Sequence, residues 1–320
     1  MKALILTDGK AGHENQSRAF ARALGCEVEI SPVSFKFKGA KTLSYIFDSI
    51  GVRTVSLFRF GADVMSMKPD VVIGTGSGTF YAVKSLARRL GAKSAVVLYP
   101  RGYDLKSFDC ILAPRFDNPA DAPNVVRIPA NLVSGDAAFY DAGEAAFLER
   151  HSPTGRKACA VIVGGPNKCA GMTAEWMRAE LERIFAETEG CERWVTTSRR
   201  TPRDVEEVVE SFPFDYSLIY SKDHFNPIPA FVKRASRLYV TAESTGMISE
   251  ACTFGSSEVF VMDNLNAGKS KFRRFVEDLK ADGHVGGARK IDLKAVFEKA
   301  RSLVGGAPAG QTSTMNAKVQ

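Results

Sequence analysis

The sequence predicts an α/β protein with two Rossmann-like parallel-sheet domains. Short apolar, β-branched runs recur along the chain, and each is followed by a Gly- or Ser-containing loop and then by a helical pattern. Unbroken apolar strands that alternate with helices are typical of parallel sheets covered on both faces. The length of 320 residues suits two cores of about 150 residues each.

The strands and helices can be assigned in order along the chain. The first half carries strands at 2–7, 70–74, 94–99, 109–114 and 125–129. The second half carries strands at 158–163, 193–198, 216–220, 237–242 and 258–262, with helices near 173–187, from 202, from 245 and at about 292–303. The stretch "HSPTGRK" (151–157) separates the halves. The predicted domains are therefore 1–150 and 151–305, followed by a small, polar, disordered tail at 306–320.

Composition excludes several classes of protein. With 45% apolar and 25% charged residues, the chain is typical of folded, water-soluble proteins. No apolar run suits a membrane span or a signal peptide. The six cysteines are scattered, so we predict no metal site and reduced thiols in the cytoplasm. The net charge of +7 favours anionic partners, but without a nucleic-acid-binding signature we expect no nucleic acid.

Two polar loops of the first half follow strands, where ligands bind in open α/β sheets. "DGKAGHENQ" (8–16) contains glycines that allow close approach to a ligand, a lysine that favours an anion, and two candidate proton acceptors. "GTGSGT" (74–79) lacks the spacing of a dinucleotide fingerprint. For each loop, a purely structural turn is the alternative. The predicted catalytic residues are His13 and Asp8, and the acceptor-side residues are Gly9, Lys10, Gly12, Gly76, Ser77 and Arg101.

Three polar loops of the second half follow strands, and one of them, "GGPNK" (164–168), is uninformative by itself because a Pro/Asn turn is the alternative. "TTSRRTP" (196–202) offers two arginines for phosphate, and the small residues that open the helix from 245 leave backbone N–H groups for the same purpose. Glu250 could accept hydrogen bonds from ribose hydroxyls, whereas the alternative is a capped helix with an exposed Glu. The predicted donor-binding residues are Gly164, Gly165, Asn167, Ser198, Arg199, Arg200, Ser244, Thr245, Gly246, Met247 and Glu250.

Taken together, the two halves describe the GT-B arrangement of nucleotide-sugar enzymes, in which two Rossmann-like domains face a central cleft. In order, "DGKAGHENQ", "PDVVIGTGSGT", "YPR", "VIVGGPNK", "TTSRRTP" and "RLYVTAESTGMISEA" also resemble the motifs of the mitochondrial fission ELM-like family. The resemblance covers about residues 4–280. Because bacterial members look like GT-B glycosyltransferases of uncertain substrate, it implies a fold and a reaction class without a substrate.

A more distant similarity links the second half to the peptidoglycan N-acetylglucosaminyl transferase. Its small-residue helix start and following Glu hold the nucleotide, which implies the same role for the motif around Thr245 and Glu250. Three positions depart from the ELM-like pattern: Glu243 replaces an Asp, Phe116 replaces a His, and Ser257 replaces a Pro. Phe116 therefore has no acid or base role, and the turn at Ser257 loses the geometry that a proline fixes.

The leading hypothesis is a metal-independent glycosyltransferase that moves a sugar from a nucleotide-activated donor to an acceptor, with a lipid-linked acceptor and a cell-envelope glycan as the candidates, and that holds no tightly bound cofactor. A nucleotide-sugar epimerase and a non-catalytic, membrane-associated adaptor are the alternatives. Residues 33–60 interleave aromatic and aliphatic residues with Lys and Arg. Two interpretations stay open for this segment: an interfacial element at an anionic membrane, which favours a lipid-linked acceptor and a peripheral location, or buried helices with cationic outer faces.

Overall fold

The computed structural model describes residues 1–61 and 63–305, and these residues form two compact units. Unit 1 contains residues 1–128 together with the described end of the chain from residue 293, and unit 2 contains residues 129–292. The predicted disordered tail, 306–320, lies outside the described residues. Within the described ranges, no helix is long and apolar enough to cross a membrane.

Strands and helices alternate along the chain. The strands are β1 (Lys2–Thr7), β2 (Glu27–Phe35), β3 (Phe58–Phe60), β4 (Val71–Thr75), β5 (Lys93–Val97), β6 (Cys110–Pro114), β7 (Val125–Ile128), β8 (Ala158–Ile162), β9 (Glu192–Thr196), β10 (Tyr216–Leu218), β11 (Arg237–Thr241) and β12 (Glu258–Met262). The α-helices are α1 (Ala11–Ala23), α2 (Ala40–Ser49), α3 (Phe80–Leu90), α4 (Ala137–Leu148), α5 (Ala174–Glu187), α6 (Arg203–Glu210), α7 (Ile228–Arg234), α8 (Thr245–Thr253), α9 (Lys271–Ala281) and α10 (Lys294–Val304). Each strand predicted from the sequence is present to within two residues.

Unit 1 is built on one sheet, whose strand order over the described residues is β3-β2-β1-β4-β5-β6-β7. Its neighbouring strands are parallel, except that β3 runs antiparallel to β2 at the edge. Helices α1 and α3 pack against β4, and α10 packs against β6 and β7. Because helices cover the central strands, β4 and β6 are buried along their whole length, as unbroken apolar runs predict.

Unit 2 is built on a second sheet, in which the described strands follow the order β10-β9-β8-β11-β12. All neighbouring pairs in it are parallel. Its core joins side chains of the sheet, such as Val161 and Val195, to helical residues such as Leu181. Both units therefore have the parallel, helix-covered architecture that the sequence predicts.

The segment 33–60 is not made of helices alone, so it fits the buried-helix interpretation only in part. It contains the end of β2, then α2, then the short strand β3. β2 escaped prediction because its buried residues, Ser31 and Val33, alternate with the exposed Pro32 and Ser34 instead of forming a continuous apolar run. This alternation is typical of a strand near a sheet edge, where one face is less covered.

The predicted boundary after residue 150 is corrected by the packing of α4. The ring of Phe147 lies 5.1 Å from that of Trp194 on β9, which places α4 in unit 2 rather than in the first domain. The basic stretch 151–157 is a loop within unit 2, because His151 and Thr154 both hydrogen-bond to Glu192. Composition marks this stretch as a loop but does not reveal which core covers the helix before it.

The last helix is the second correction to the predicted domains. Predicted in the second domain, α10 instead packs on the sheet of unit 1. Ala300 and Val304 are buried, and Arg301 donates a hydrogen bond of 2.5 Å to the carbonyl oxygen of Ala23 at the end of α1. The chain thus leaves unit 1 once, forms unit 2, and returns.

Candidate functional site

In each unit the strand order reverses at one pair of neighbouring strands. In unit 1 the chain proceeds outward from β1 in one direction and from β4 in the other, and in unit 2 the same holds for β8 and β11. Ligands of open α/β sheets bind at the carboxyl ends of the strands at such a reversal. The predicted loops 8–16 and 74–79 follow β1 and β4, whereas the predicted donor residues lie in the loops after β8, β9 and β11 and at the start of α8.

His13 and Asp8 form a hydrogen-bonded pair in unit 1. The Nδ1 atom of His13 lies 3.1 Å from each carboxylate oxygen of Asp8, and the Nζ atom of Lys10 lies 3.1 Å from Asp8 Oδ2. Burial raises the pKa of Asp8, but hydrogen bonds from Lys10 and His13 outweigh it and hold the pKa below its ordinary value. An ionised Asp8 accepts from Nδ1–H, so we assign the free acceptor to Nε2 of His13.

The glycines of "GTGSGT" make room for this pair. A Cβ atom at Gly76 would lie 2.3 Å from Cε1 of His13, and one at Gly78 would lie 2.9 Å from Oδ2 of Asp8. Gly76 also has a φ of +82°, a conformation that favours glycine. The glycines after β4 therefore lie directly against the side chains of the His13–Asp8 pair. The spacing of these residues along the chain does not reveal this contact.

Replacing Gly76 by alanine tests this arrangement. We expect Gly76→Ala to lower the free energy of unfolding by at least about 2 kcal/mol, because backbone strain adds to overlap with His13. Gly91→Ala is the matched control, since Gly91 has a φ of +68° but nothing within 4 Å of an added Cβ; it should cost about 1 kcal/mol from strain alone. Urea unfolding measures both, and equal losses would contradict the contact with His13.

The other residues predicted in unit 1 differ in the contacts that they make. Ser77 accepts a hydrogen bond of 2.9 Å from Nζ of Lys41, a contact that brings α2 into the site and that the sequence did not indicate. Arg101 is exposed, donates to the carbonyl oxygen of Asp117 at 2.8 Å, and makes no hydrogen bond to the His13–Asp8 pair among the described residues. Gly9 and Gly12 have open space beside them.

In unit 2, the side chain of Glu243, just after β11, holds the loop that follows β8 by a hydrogen bond. Its side chain is fully buried, and it accepts hydrogen bonds from the Gly165 N–H at 2.8 Å, the Asn264 amide at 2.8 Å and the Thr241 hydroxyl at 3.1 Å. A buried carboxylate is stable only when such donors surround it. The Glu that replaces the family's Asp is thus a structural anchor of this loop.

Gly164 and Gly165 are needed for close packing of the loops. An added Cβ would lie 1.9 Å from Glu243 Oε1 at Gly164, and 2.2 Å from the Arg200 carbonyl oxygen at Gly165. The Gly164 carbonyl accepts hydrogen bonds from Ser198 at 2.8 Å and from Thr201 at 2.6 Å. Because the N–H groups of both glycines already donate within the loop network, these residues shape the site instead of offering free donors to a phosphate.

The two arginines of "TTSRRTP" differ in their partners. Arg200 donates to the Gly165 carbonyl at 3.2 Å and lies 3.7 Å from Glu243, so it is partly engaged in the loop network. Arg199 is exposed and makes no ion pair with any residue in the described ranges. Asn167 accepts from the Cys169 N–H at 2.7 Å and holds its own turn. Arg199 is therefore the free cation of this loop.

The start of α8 combines a free helix end with held side chains. No side chain caps its N-terminus after Ser244, and Gly246 is exposed with nothing within 4 Å of an added Cβ. Met247 is half-buried. The Thr245 hydroxyl accepts a hydrogen bond of 3.1 Å from the Asn131 amide. A helix N-terminus with open space before it favours an anion.

Glu250 is held in place, contrary to the alternative of a freely exposed side chain. Its Oε1 atom accepts a hydrogen bond of 3.0 Å from the Tyr140 hydroxyl, and burial raises the pKa of Glu250 although this hydrogen bond lowers it. No other hydrogen bond from the described residues reaches the Glu250 side chain, which leaves Oε2 available. Asn131 and Tyr140 precede unit 2's first strand, so neither follows from the motifs.

None of the described residues forms a group of three or more His, Cys, Asp or Glu side chains suited to a metal ion. The ionisable groups at the two sites are instead those of Asp8, Lys10 and His13 in unit 1 and of Arg199, Arg200 and Glu250 in unit 2. Unit 1 thus has an imidazole held by a carboxylate, and unit 2 has a cation, a helix N-terminus and a carboxyl group.

Two parallel α/β units with polar loops at their strand-order reversals define this molecule as a protein of the GT-B type. The chain belongs to the mitochondrial fission ELM1 family, whose model matches residues 11–299. The fold class and the family predicted from the sequence are both confirmed.

Relatives and solved structures extend this result. RP120, an uncharacterized protein of Rickettsia prowazekii, is 22% identical over 316 residues, covering 87% of this chain and 88% of the relative. A protein of Listeria monocytogenes proposed to be a UDP-N-acetylglucosamine 2-epimerase has a TM-score of 0.51 at 12% identity, covering 95% of this chain and 88% of that one. UDP-GlcNAc 2-epimerase of Neisseria meningitidis bound to UDP-GlcNAc has a TM-score of 0.50 at 12% identity, covering 94% of each chain. At these identities the likeness shows the fold.

The remaining departures from the family pattern have structural explanations. Phe116 is buried, so the position of the family's His is used for packing. At the turn after α8, Gly255 has a φ of +69° and an added Cβ would lie 2.0 Å from the Val232 carbonyl oxygen. The buried hydroxyl of Ser257 donates to the Ala235 carbonyl at 2.7 Å. A serine hydrogen bond thus holds the turn where the family has proline.

Proposed function

We propose that this protein is a glycosyltransferase that moves a sugar from a nucleotide-activated donor to an acceptor hydroxyl. The observation that carries the proposal is the oriented His13–Asp8 pair at the strand-order reversal of unit 1, in a chain whose second unit offers anion- and ribose-suited groups at its own reversal. The Neisseria protein of the same fold binds UDP-GlcNAc, which supports a sugar nucleotide as the donor.

Unit 2 is the proposed donor-binding unit. Arg199 and the N-terminus of α8 would contact the diphosphate, and Oε2 of Glu250 would accept hydrogen bonds from ribose hydroxyls. When the bond between the sugar and the diphosphate breaks, negative charge grows on the leaving oxygen. A guanidinium and helix N–H groups stabilise such charge, so these residues can perform the role that a metal ion has in other transferases.

Unit 1 is the proposed source of the base. Nε2 of His13 takes the proton of the acceptor hydroxyl while the acceptor oxygen forms its bond to the anomeric carbon. The bond between the anomeric carbon and the donor's phosphate oxygen breaks, and its electron pair leaves with the nucleotide, a diphosphate for UDP-, GDP- and dTDP-sugars and a monophosphate for a CMP-sugar. Asp8 keeps the Nδ1 proton in place and stabilises the imidazolium that results. Of the two candidate bases, the geometry therefore favours His13 as proton acceptor and Asp8 as the positioning residue.

Donor binding is the first test. We expect one of UDP-, GDP-, dTDP- or CMP-sugars to raise the melting temperature of the full chain, because a ligand that binds only the folded state stabilises it. Arg199→Ala should weaken the affinity for that donor about 10- to 100-fold, since a charge-assisted hydrogen bond to phosphate is lost. Arg178→Ala, at another exposed arginine of unit 2, should leave the affinity unchanged. If no sugar nucleotide binds, the adaptor hypothesis replaces the enzyme.

A nucleotide-sugar epimerase is the second candidate, and the two solved structures described above favour it by their names. An epimerase acts on the sugar nucleotide alone, whereas a transferase needs an acceptor. Incubation with the bound donor and no acceptor, followed by NMR of the sugar, separates the two. Appearance of an isomerised sugar nucleotide would establish epimerisation and exclude transfer as the primary reaction.

We further propose a cytoplasmic protein that works at an anionic membrane surface on a lipid-linked acceptor. The excess of basic residues supports an anionic partner. Transfer of radiolabelled sugar into an organic-extractable product tests this choice, and a purely water-soluble product would contradict it.

A further inference from the structure

Exposed apolar side chains cluster on one stretch of unit 1. Eight large apolar residues are exposed among those the structure describes, and four of them lie within residues 37–52: Phe37 (51%), Ile46 (50%), Ile50 (66%) and Val52 (39%). Ile46 and Ile50 are four residues apart at the end of α2, so they share a face of the helix. Single exposed apolar residues need no explanation, but a cluster indicates a surface with a partner.

A basic cavity opens next to this cluster. The cavity has a volume of about 390 Å³ and lies between the loop after α2 and the end of α3; we call it the α3 basic pocket. Its lining residues are Arg53, Thr54, Val55, Ser85, Arg88 and Arg89. A neighbouring cavity shares Arg53 and Arg88 and extends the basic lining to Gly51.

The pocket holds positive charge that the fold does not neutralise. Arg53 is paired, at 3.1 Å with Asp48 and at 3.5 Å with Asp104. Arg88 and Arg89 are exposed and make no ion pair with any described residue. The buried Ser85 also lines the pocket. Two guanidinium groups without an ion pair match a phosphate group, which accepts several hydrogen bonds.

The apolar cluster and the pocket belong to the same surface. Ile50 and Val52 flank Gly51, which lines the neighbouring cavity together with Arg88. The hydroxyl of Tyr81 on α3 donates a hydrogen bond of 2.9 Å to the Val52 carbonyl, and this bond fixes the loop against the helix. A soluble anion would use the arginines alone, whereas a phospholipid presents a phosphate and an apolar layer side by side.

We propose that this surface docks on an anionic bilayer, with a lipid phosphate in the α3 basic pocket and with Ile46, Ile50 and Val52 in the interface. The inference rests on the membrane association suggested under the proposed function and assigns it to named residues. Basic residues near an anionic surface and apolar residues at the headgroup boundary act together in such binding.

Vesicle flotation of the full chain tests the proposal without any sugar nucleotide. We expect binding to phosphatidylcholine vesicles containing phosphatidylglycerol and much weaker binding to phosphatidylcholine alone. Arg88→Ser with Arg89→Ser should lower the affinity about 30-fold, from the loss of two basic side chains at the surface. Ile46→Ser with Ile50→Ser should lower it at least about tenfold, from the loss of apolar burial. Melting temperatures verify that both variants are folded.

A matched control separates the pocket from net charge. Lys157→Ser with Arg178→Ser removes two exposed charges from unit 2 and should leave binding within about twofold of the unchanged protein, since neither residue lines the α3 basic pocket and exposed charges outside the contact are screened by salt. Equal losses in the control, or retained binding in both unit 1 variants, would overturn the proposal.

Inorganic phosphate is titrated separately by calorimetry. If the protein binds inorganic phosphate, loses this binding in the Arg88→Ser with Arg89→Ser variant, and does not bind vesicles, then a lipid is not the occupant of the α3 basic pocket. Because the donor is absent throughout, failure here leaves donor binding and transfer to their own tests.

Discussion

His13→Ala is expected to lower the turnover of the identified donor about 10²- to 10⁴-fold while leaving its affinity almost unchanged. The range is that of a general base lost from a positioned site. Affinity should persist because the proposed donor contacts lie in unit 2, whereas His13 lies in unit 1. Steady-state kinetics should therefore show a loss in kcat with little change in KM for the donor.

Two further variants sharpen this result. Asp8→Asn should also reduce kcat, because an amide can present a donor to Nδ1 and thereby favour the wrong tautomer of His13. His224→Ala is the matched control, since His224 is exposed on a loop of unit 2 and its ring centroid lies 4.7 Å from that of Tyr220. The turnover of this variant should be that of the unchanged protein. Full activity of His13→Ala would remove His13 from the reaction.

Glu192→Gln is expected to lower the free energy of unfolding by about 3 kcal/mol at neutral pH, the cost of breaking a buried charged network. Glu192 is fully buried and accepts hydrogen bonds from His151 at 2.6 Å, from Thr154 at 2.7 Å and from Trp194 at 2.8 Å. Burial raises the pKa of this carboxyl, but these donors outweigh burial and lower it from 4.5 to about 2. A Gln amide would place its own N–H donors against them.

The pH dependence of this effect has a definite sign. Because the pKa of Glu192 is lowered by folding, its contribution is present above about pH 4.5 and is lost as the pH falls toward 2. The difference between the unchanged protein and Glu192→Gln should shrink over that window, as measured by urea unfolding. Glu207→Gln, at a side chain that is 66% exposed, should change stability by less than about 0.5 kcal/mol. Similar losses at both positions would contradict the network's role.

The fold could be predicted largely because its central strands are buried on both faces. Runs such as those of β4 and β8 leave a continuous apolar signal, and each strand is followed by a helical pattern. The edge region gave no such signal. β3 has three residues, too few for a periodic pattern. In β2, buried and exposed residues alternate. Only the basic and aromatic residues of the segment between them therefore stand out in the sequence.

The candidate site could be predicted loop by loop but not as a set of contacts. That loops follow strands is visible along the chain, whereas the neighbours of a loop depend on strand order. Gly76 lies against the His13 ring only because β4 lies beside β1. Likewise, Tyr140 reaches Glu250 only because α4 belongs to unit 2. Glu243 could be noticed as a departure from the family, but its burial and its three donors depend on tertiary structure.

The return of α10 to unit 1 has a consequence for the order in which the chain can fold during synthesis. All residues of unit 2 are continuous, so its core can close as soon as residue 292 has left the ribosome. Unit 1 begins the chain but waits for its last helix, which supplies the buried Ala300 and Val304. The usual order, in which the N-terminal domain finishes first, therefore does not apply to unit 1. The unit that holds His13 can complete its core only after every residue of the proposed donor-binding unit has been synthesised.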